Sequence, residues 1–381
     1  MGGSIRKHKL TPTAAVIIVG GGVIGLSIAR ALAQRGIRDL ILIERGEPGA
    51  EASWAAGGIL APQVEADQPD EFFRLACASR DLYPEFAEAL REETGIDVEL
   101  EKAGTLYISF AESEQHEMRA RHDWQANAGL QIDWLTGDEA RTVEPNISPK
   151  VRYALRFPND YQVENRRLVQ ALIVSNQKAG VNLVTHCEVL SLRIEHEQVT
   201  GVDTSSGFFS APTVIVAAGA WTSQITHARV AINPVRGQML CFAAPQIASH
   251  VIYSSRGYLV PRRDGRLLAG STSESVGFDK RVSGEGVQSI KAMAFEIAPC
   301  LEKFALTDAW AGFRPHAEDN LPVIGPDEEV RGLFYATGHY RNGILLAPLT
   351  GELMAETLVT GKSPITLRAF QPARFQMVSM K

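Results

Sequence analysis

The segment GHYRNGILLAP, residues 338 to 348, places a histidine and an arginine directly before an apolar run. Gly343 gives the backbone freedom to turn, and Pro348 is tolerated near the first turn of a helix, so the run predicts a helix that begins near Gly343 and continues through Met354. The start of a helix carries a partial positive charge, to which Arg341 adds a full one. The segment therefore predicts a place that favours an anion or developing negative charge.

A glycine-rich turn near the amino terminus has the spacing of a nucleotide cradle. An apolar strand, VIIV, leads into Gly20, Gly22 and Gly25, which stand in GxGxxG spacing and precede an amphipathic helix. The first two glycines permit close approach of a pyrophosphate, and the third lets helix and strand pack tightly. A second strand, LILI, ends on Glu44, 24 residues after Gly20, where a carboxylate accepts hydrogen bonds from unphosphorylated ribose. This unit predicts dinucleotide binding, and NAD and FAD both use it.

The segment EASWAAGGILAP, residues 51 to 62, is rich in small residues, which let backbone amides approach a large planar ligand. With this segment the chain resembles the FAD-dependent amino-acid oxidase superfamily and, within it, the glycine oxidases of thiamine biosynthesis. The resemblance extends along most of the chain and includes TVIVAAGAW, GYLVPRRDGRLLAGST, WAGFRP, PVIG and GHYRNGILLAP. It favours FAD over NAD.

The resemblance implies a set of FAD contacts beyond the glycine turn. With the turn included, the expected cofactor-binding residues are Gly20, Gly22, Val23, Ile24, Gly25, Glu44, Arg45, Ala52, Ser53, Gly57, Gly58, Ile59, Val189, His339, Tyr340, Arg341, Asn342, Gly343, Ile344 and Leu345. The sequence around Val189 is typical of a strand that could clamp the adenine edge, and equally of a plain core strand. Related sarcosine oxidases attach their flavin to a cysteine in the segment that resembles residues 310 to 325. Since that segment has no cysteine here, we predict non-covalent FAD.

Oxidation of an amino acid by a flavin needs a carboxylate clamp, a nearby polar group and an apolar box that excludes water. Arg314 is the candidate clamp, because a guanidinium meets a carboxylate with two parallel hydrogen bonds, and the resemblance implies the same role. The resemblance also implies that Arg341 is a second pocket arginine and that the Tyr258 hydroxyl touches the carboxylate. Each has a plainer interpretation: Arg314 stacks on Trp310, Arg341 forms a salt bridge to a neighbouring loop, and Tyr258 is a half-buried strand tyrosine.

The activity that the resemblance implies is oxidation of glycine, and of sarcosine or small D-amino acids. A hydride passes from the substrate to FAD, no side chain is needed as general base, and molecular oxygen receives the electrons to give hydrogen peroxide. The imine product would be a precursor for the thiazole moiety of thiamine. Ile59 and Ser273 stand where several glycine oxidases have methionine, so the substrate range stays open. The alternatives are a broad D-amino-acid oxidase, a quinone-linked D-amino-acid dehydrogenase, a flavin-binding protein without turnover, and a disfavoured nicotinamide enzyme.

The composition limits the kinds of molecule that the protein is expected to bind and the compartment in which it is expected to lie. The chain has 381 residues, 45% of them hydrophobic, and a net charge of -6, which disfavours nucleic acid and anionic membranes as partners. No run reaches the length of 18 apolar residues that marks a membrane span, and no signal peptide is recognisable. Four scattered cysteines predict reduced thiols, and the histidines lack metal-ligand spacing. We therefore expect a cytoplasmic protein without a metal. A homo-oligomer is a separate expectation.

The order of these segments predicts an α/β fold. A Rossmann-like FAD-binding domain would be built discontinuously from residues 14–80, 150–230 and 320–365. An α+β substrate domain around an antiparallel sheet would comprise residues 81–149 and 231–319, as alternating runs such as GYLVP indicate. The termini are expected to be flexible.

Overall fold

The structure is a computed structural model that describes residues 12–227, 229–362 and 367–378. The terminal tails, predicted to be flexible, lie outside these ranges. The strands are β1 (Val16–Val19), β2 (Leu40–Ile43), β3 (Ile59–Leu60), β4 (Thr105–Ser109), β5 (Asp133–Thr136), β6 (Tyr153–Phe157), β7 (Tyr161–Gln162), β8 (Asn182–Val184), β9 (Val189–Glu195), β10 (Gln198–Thr204), β11 (Gly207–Ser210), β12 (Thr213–Val216), β13 (Ile232–Ala243), β14 (Val251–Ser254), β15 (Gly257–Pro261), β16 (Arg266–Gly270), β17 (Leu306–Ala317), β18 (Val323–Pro326) and β19 (Leu333–Thr337).

The α-helices are α1 (Val23–Gln34), α2 (Ala52–Ala55), α3 (Pro62–Glu65), α4 (Glu71–Thr94), α5 (Gln115–Asn127), α6 (Gly137–Val143), α7 (Asn165–Lys178), α8 (Thr222–Ile225), α9 (Gly284–Ile297) and α10 (Gly343–Thr360). Short 3-10 helices span Glu112–Glu114, Gly219–Trp221, Pro299–Lys303, Arg368–Phe370 and Pro372–Val378.

A six-stranded sheet carries the glycine turn. Its order is β18-β19-β12-β1-β2-β8, and every neighbouring pair is parallel except β18 with β19. Successive residues of β1 face opposite sides of this sheet: Ile18 packs with the layer of α1, α4, α7 and α10, whereas Ile17 packs with the three-stranded sheet β11-β10-β9. The apolar runs VIIV and LILI are fully buried because both faces of the sheet are covered. This confirms the predicted Rossmann-like part of the fold.

A second, eight-stranded sheet has the order β17-β13-β16-β15-β14-β4-β6-β5. It is antiparallel apart from the pair β14 and β4. On one face, α9 packs on side chains such as Leu240 and Leu259. Because side chains alternate along a strand, the neighbouring Met239 and Tyr258 point to the opposite face, where they pack near α2 and α3. The predicted antiparallel sheet of the α+β part is confirmed.

The two sheets refine the predicted domain boundaries. The boundary at residue 80 falls inside α4, whose Tyr83 and Leu90 belong to the same core as α1 and α10. Strand β6, assigned from the sequence to the nucleotide domain, pairs with β4 and β5 in the eight-stranded sheet. These two assignments are therefore corrected. Short alternating strands look alike in either sheet, so the sequence could not decide which sheet β6 would join.

Helix α10 begins at Gly343, as predicted, but Pro348 lies in its second turn rather than its first. A proline there has no N–H to donate to the carbonyl of Ile344, four residues earlier. The hydroxyl of Tyr83 on α4 donates to that carbonyl instead, and the Ser79 hydroxyl donates to Leu345 O at 2.6 Å. A tertiary contact thus satisfies the carbonyl group that the proline leaves without its helical partner.

Among the described residues, α10 is the one helix whose length and composition would suffice to cross a membrane. However, 61% of that stretch is buried inside the protein. The close contact with α1 depends on Gly351, because a Cβ there would lie 2.8 Å from the carbonyl oxygen of Ser27. The apolar character of α10 is therefore explained by its place in the core.

We expect Gly351→Ala to lower the free energy of unfolding by about 1–3 kcal/mol, because the added methyl group pushes α10 away from α1. Alanine would otherwise stabilise a helix relative to glycine by up to about 1 kcal/mol. Gly284→Ala, also in a helix but with open space around its Cβ position, is the matched control and should be neutral or stabilising. Urea unfolding with saturating FAD measures both, and equal effects of the two changes would contradict the packing argument.

Candidate active site

The predicted site residues converge on one cavity of about 410 Å³ whose walls come from both large sheets. The predicted residues that line it are Gly20, Gly22, Val23, Ile24, Glu44, Arg45, Ala52, Ser53, Gly57, Gly58, Ile59, Val189, Tyr258, Arg314, His339, Tyr340, Arg341, Asn342, Gly343 and Ile344. A concave site of this size is typical of small-molecule and cofactor binding.

Two predicted cofactor-binding residues, Gly25 and Leu345, do not line the cavity. A Cβ on Gly25 would lie 2.0 Å from the carbonyl oxygen of Gly20, so this glycine permits α1 to pack on the strand and turn before it. Leu345 is 1% exposed and belongs to the core beneath α10. In this structure both residues contribute to the packing behind the cavity, and their contact with a cofactor stays a prediction.

The start of α1 is built to receive an anion. Its N-cap residue, Gly22, makes no side-chain capping bond, and the first turn has no acidic side chain. The Val23 amide donates to the Ser53 hydroxyl at 2.9 Å, which ties the small-residue segment to the glycine turn. An uncapped helix start with its positive partial charge suits a pyrophosphate.

Glu44 lies at the end of β2, beside the glycine turn. Its Oε2 accepts a hydrogen bond from the Gly21 amide at 2.8 Å, and its Oε1 accepts one from Gly46 at 2.9 Å. Each carboxylate oxygen can accept a further bond, so the side chain is held in place and can still receive ribose hydroxyls. A second phosphate on that ribose would meet a fixed negative charge.

Arg45 covers the same end of the cavity. Its guanidinium stacks on the ring of Trp221 at 3.6 Å from the ring centroid and pairs with Glu51 at 2.9 Å. The lining continues to Cys187 and Val189, which are both buried. This end of the cavity therefore combines a flat cation, an aromatic ring and an apolar wall, a combination suited to an adenosine.

At the other end, the turn before α10 is fixed to β17. The Tyr340 amide donates to Pro315 O at 3.0 Å, and the Tyr340 ring lies 4.8 Å from the His316 ring. The N-cap residue, Asn342, makes no side-chain capping bond, and the first turn of α10 has no acid. A second uncapped helix start therefore faces the cavity, as the sequence predicts.

His339 is buried in this turn, and one ring nitrogen, Nε2, lies 3.1 Å from the Thr350 hydroxyl. Burial lowers the pKa of His339 to about 3. The ring is therefore neutral in the physiological range, and it leaves Arg341 as the cation of the segment.

These features fit FAD. The two uncapped helix starts suit negative charge, and the position held by Glu44 suits ribose. At Gly20 and Gly22 no side chain occupies the turn, and a Cβ at Gly20 would meet Ala217 O at 2.5 Å. The residues that would hold FAD are thus those of the glycine turn, the small-residue segment and the turn before α10.

Arg314 on β17 has a fixed orientation. Its Nη2 donates to the Ser271 hydroxyl at 2.6 Å and its Nη1 donates to Thr272 O at 3.0 Å. In the described part of the chain no carboxylate pairs with it. Each terminal nitrogen keeps a second N–H, so the fork can still bind a carboxylate with two parallel bonds.

Tyr258 joins the same arrangement. Its hydroxyl donates to Ser271 Oγ at 3.3 Å and lies 3.5 Å from Met239 Sδ. Ser271 therefore connects the tyrosine to Arg314. The room for the guanidinium comes from Gly237 on the neighbouring strand, since a Cβ there would lie 2.5 Å from the guanidinium carbon of Arg314.

Arg341 pairs with Glu65 of α3 at 3.1 Å, and the Tyr253 hydroxyl donates to the same carboxylate oxygen at 3.2 Å. Glu65 raises the pKa of Arg341 despite the opposing effect of burial. The side chain lines the cavity and also makes the salt bridge that was the plainer interpretation from the sequence. It is 43% exposed, which places the pair at the rim of the cavity.

Sequence reasoning missed four residues of this end: Ser271, Gly237, Glu65 and Tyr253. A glycine within an apolar strand is a known sign of close approach by another group, so the pattern PVRGQML could have drawn attention to Gly237. Nothing local distinguishes Glu65 or Ser271, because their partners come from distant parts of the chain.

Comparison with known proteins agrees with this geometry. Residues 15–357 match the family model described as FAD dependent oxidoreductase. A glycine oxidase of Geobacillus kaustophilus is 37% identical over 94% of this chain and 96% of its own length. The bifunctional protein ThiO/ThiG of Synechocystis sp. is 35% identical over 95% of this chain, which spans 54% of that longer protein.

Among solved structures, the crystal structure of glycine oxidase from Geobacillus kaustophilus superposes with a TM-score of 0.92 at 37% identity, covering 96% of this chain and 99% of that one. The two folds therefore agree over nearly their whole length, including both sheets that line the cavity.

Replacing Gly237 with alanine should displace the Arg314 guanidinium. We expect a carboxylate ligand such as acetate to bind about 10- to 100-fold more weakly, which corresponds to the loss of one hydrogen bond to a charged group. FAD affinity should not change. Perturbation of the flavin absorbance by acetate measures the dissociation constant, with Gly284→Ala as the control. An unchanged dissociation constant for acetate would show that Gly237 does not position Arg314.

The buried neutral ring of His339 should make stability depend on pH. The unfolded ring takes up a proton near its ordinary pKa of about 6.5, whereas in the folded protein the pKa is about 3. The unfolded state therefore binds more protons between these values, and stability is lost as the pH falls from the higher value toward the lower. From about pH 7 to about pH 5, wild type should lose roughly 2 kcal/mol more than His339→Gln in urea unfolding. Equal losses in both proteins would contradict this.

Proposed function

Because this chain belongs to the family of FAD-dependent oxidoreductases, we propose that it uses FAD to oxidise glycine and other small amino acids. One observation carries the proposal: Arg314 and Tyr258 line the same cavity as the dinucleotide-binding turn. A carboxylate clamp beside a dinucleotide cradle is what oxidation of an amino acid by a flavin requires. The similarity to glycine oxidases over most of the chain supports glycine as the substrate.

Arg314 and Tyr258 would hold the carboxylate of the substrate. The guanidinium offers its two remaining terminal N–H groups, and the tyrosine hydroxyl adds a third donor once it turns from its long contacts to Ser271 and Met239. Both side chains stand on strands of the same sheet, and Ser271 links them. The carboxylate is thus held at a fixed position, which fixes the direction of the α-carbon.

When bound, FAD supplies the chemistry by accepting a hydride from the α-carbon of the substrate. The chain keeps water away from that transfer with Met239, Ile59 and Phe313, which line the cavity together with the clamp. It also supplies positive potential where the first turn of α10 and Arg341 meet the cavity.

We propose that no described side chain beside the clamp acts as a general base. Glu65 is already paired with Arg341, and His339 is buried against Thr350 with a lowered pKa. The substrate would therefore react as the neutral amine, with its proton lost to solvent before the hydride leaves. The sum of the reaction is glycine plus molecular oxygen to the imine plus hydrogen peroxide.

The imine product would hydrolyse or pass to a following reaction. The chain is similar to about half the length of a bifunctional protein ThiO/ThiG, which supports a role in making the thiazole moiety of thiamine. The four cysteines are free thiols, which agrees with a cytoplasmic location. We further propose non-covalent FAD and a homo-oligomeric assembly.

Anaerobic mixing of the FAD-bound protein with glycine should bleach the flavin absorbance, and sarcosine or small D-amino acids should do so to different extents. In air, glycine should yield about one peroxide per imine formed. A flavin that glycine leaves oxidised under anaerobic conditions would overturn the proposal. Reduction without peroxide release, but with rapid transfer to a quinone or dye, would instead indicate a dehydrogenase.

A further inference from the structure

Arg262, which directly follows β15, is a buried cation outside the cavity lining. It is 9% exposed. Its Nη2 donates to Gly57 O at 2.8 Å and to Asn165 Oδ1 at 3.2 Å, and its Nη1 donates to Gln162 Oε1 at 3.0 Å and to Val163 O at 3.1 Å. All four acceptors are neutral.

Within the described ranges, no carboxylate forms an ion pair with Arg262, and its Nε has no hydrogen-bond partner. Burial lowers the pKa of Arg262 to about 10, so the group stays protonated at neutral pH. Glu164 acts on Arg262 only at longer range and is itself paired with Arg266. A buried cation without an ion-pair partner is costly, and a neutral side chain of similar size would avoid that cost. The fold nevertheless keeps the charge in this place.

The contacts of Arg262 fix the small-residue segment at one point, and Asn165 fixes it at another. The side-chain amide of Asn165 donates to Ser53 O at 2.8 Å and to Trp54 O at 3.1 Å, while its oxygen accepts from Arg262. The backbone adds a bond from the Val163 amide to Gly58 O at 2.8 Å. The segment from Ser53 to Gly58 is therefore held from behind by a single connected network.

The segment held in this way forms the wall beside the substrate clamp. Gly57 lines the cavity, and a Cβ on it would lie 3.5 Å from the Tyr258 ring. Only the Gly57 peptide separates the Arg262 guanidinium from this wall. The potential of an unpaired charge extends through a buried peptide with little screening.

We propose that Arg262 is a positioning residue that holds the Gly57 wall in place and whose unpaired charge raises the reduction potential of the bound flavin. The inference rests on the proposed function, since it concerns FAD in this cavity. A positive charge favours the state of the cofactor that carries more negative charge, and the peptide group of Gly57, polarised by the guanidinium, transmits the effect.

Three variants separate the effect of the Arg262 charge from the effect of its hydrogen bonds to the small-residue segment. Arg262→Gln removes the charge and part of the network. Gln162→Glu keeps the hydrogen bonds of Arg262 but places a carboxylate on its Nη1. This change of nearly equal size neutralises the charge of the guanidinium. Arg262→Lys keeps the charge and loses the fork. Arg256→Gln is the control, because it removes an arginine that is 50% exposed and pairs with Glu296 of α9.

The measurement is the reduction potential of the bound flavin, titrated with an inorganic reductant and a reference dye in the absence of any amino acid. Arg262→Gln and Gln162→Glu should each shift the equilibrium at least about tenfold toward the oxidised form, or ~30 mV for a two-electron couple. Arg262→Lys should keep most of the wild-type potential while binding FAD more weakly. Arg256→Gln should match wild type in both.

A wild-type potential in FAD-bound Gln162→Glu would overturn the electrostatic part of the proposal, even if Arg262→Gln failed to fold. Unchanged FAD affinity in both Arg262 variants would overturn the positioning part. Since no amino acid is present, these outcomes do not depend on whether glycine is the substrate. Failure of the proposed function would appear separately, as absence of flavin reduction by glycine in the wild-type protein.

Discussion

Two helices of this protein begin at the same cavity without a capping side chain, and this constraint organises the rest of the structure. The Val23 amide of α1 donates to Ser53, and the uncapped starts of α1 and α10 otherwise give the cavity positive potential at two separate places. Such helix starts need water, another side chain or a ligand to satisfy their remaining first amides. The parallel sheet brings the two helix starts to one edge, because β1 and β19 run in the same direction and each ends shortly before one of these helices begins.

At the Arg314 end of the cavity, glycines without side chains determine the shape as much as the larger residues do. Gly237 leaves the space that the Arg314 guanidinium fills, and Gly312, directly opposite it on β17, leaves space for Ala55 of α2. The sheet can therefore approach the small-residue segment closely and still carry a large cation. Alternation along the strands then selects which residues meet the cavity: Tyr258 faces it, whereas Leu259 faces α9.

The sequence predicted those features of the fold and the cavity that depend on a few consecutive residues. The glycine turn, the acid at the end of β2 and the start of α10 each depend on a few consecutive residues, and the structure has all three where the sequence placed them. How α10 tolerates Pro348 in its second turn was not predictable, since the carbonyl group concerned is satisfied by a hydroxyl that Tyr83 brings from α4. The partner of Arg341 was not predictable either, because Glu65 lies 276 residues away along the chain. The roles of the individual site residues stay predictions.

The parts of the cavity differ in how firmly they are built. Arg314 stands on the edge strand β17, which pairs along its length with β13, and Tyr258 stands on the interior strand β15, whereas Glu65 belongs to a four-residue helix and Arg341 to a turn. Substitutions at the rim can therefore accumulate during evolution without disturbing the proposed carboxylate clamp. Such an architecture allows descendants of one ancestral enzyme to accept new amine substrates while they keep the same carboxylate-binding group.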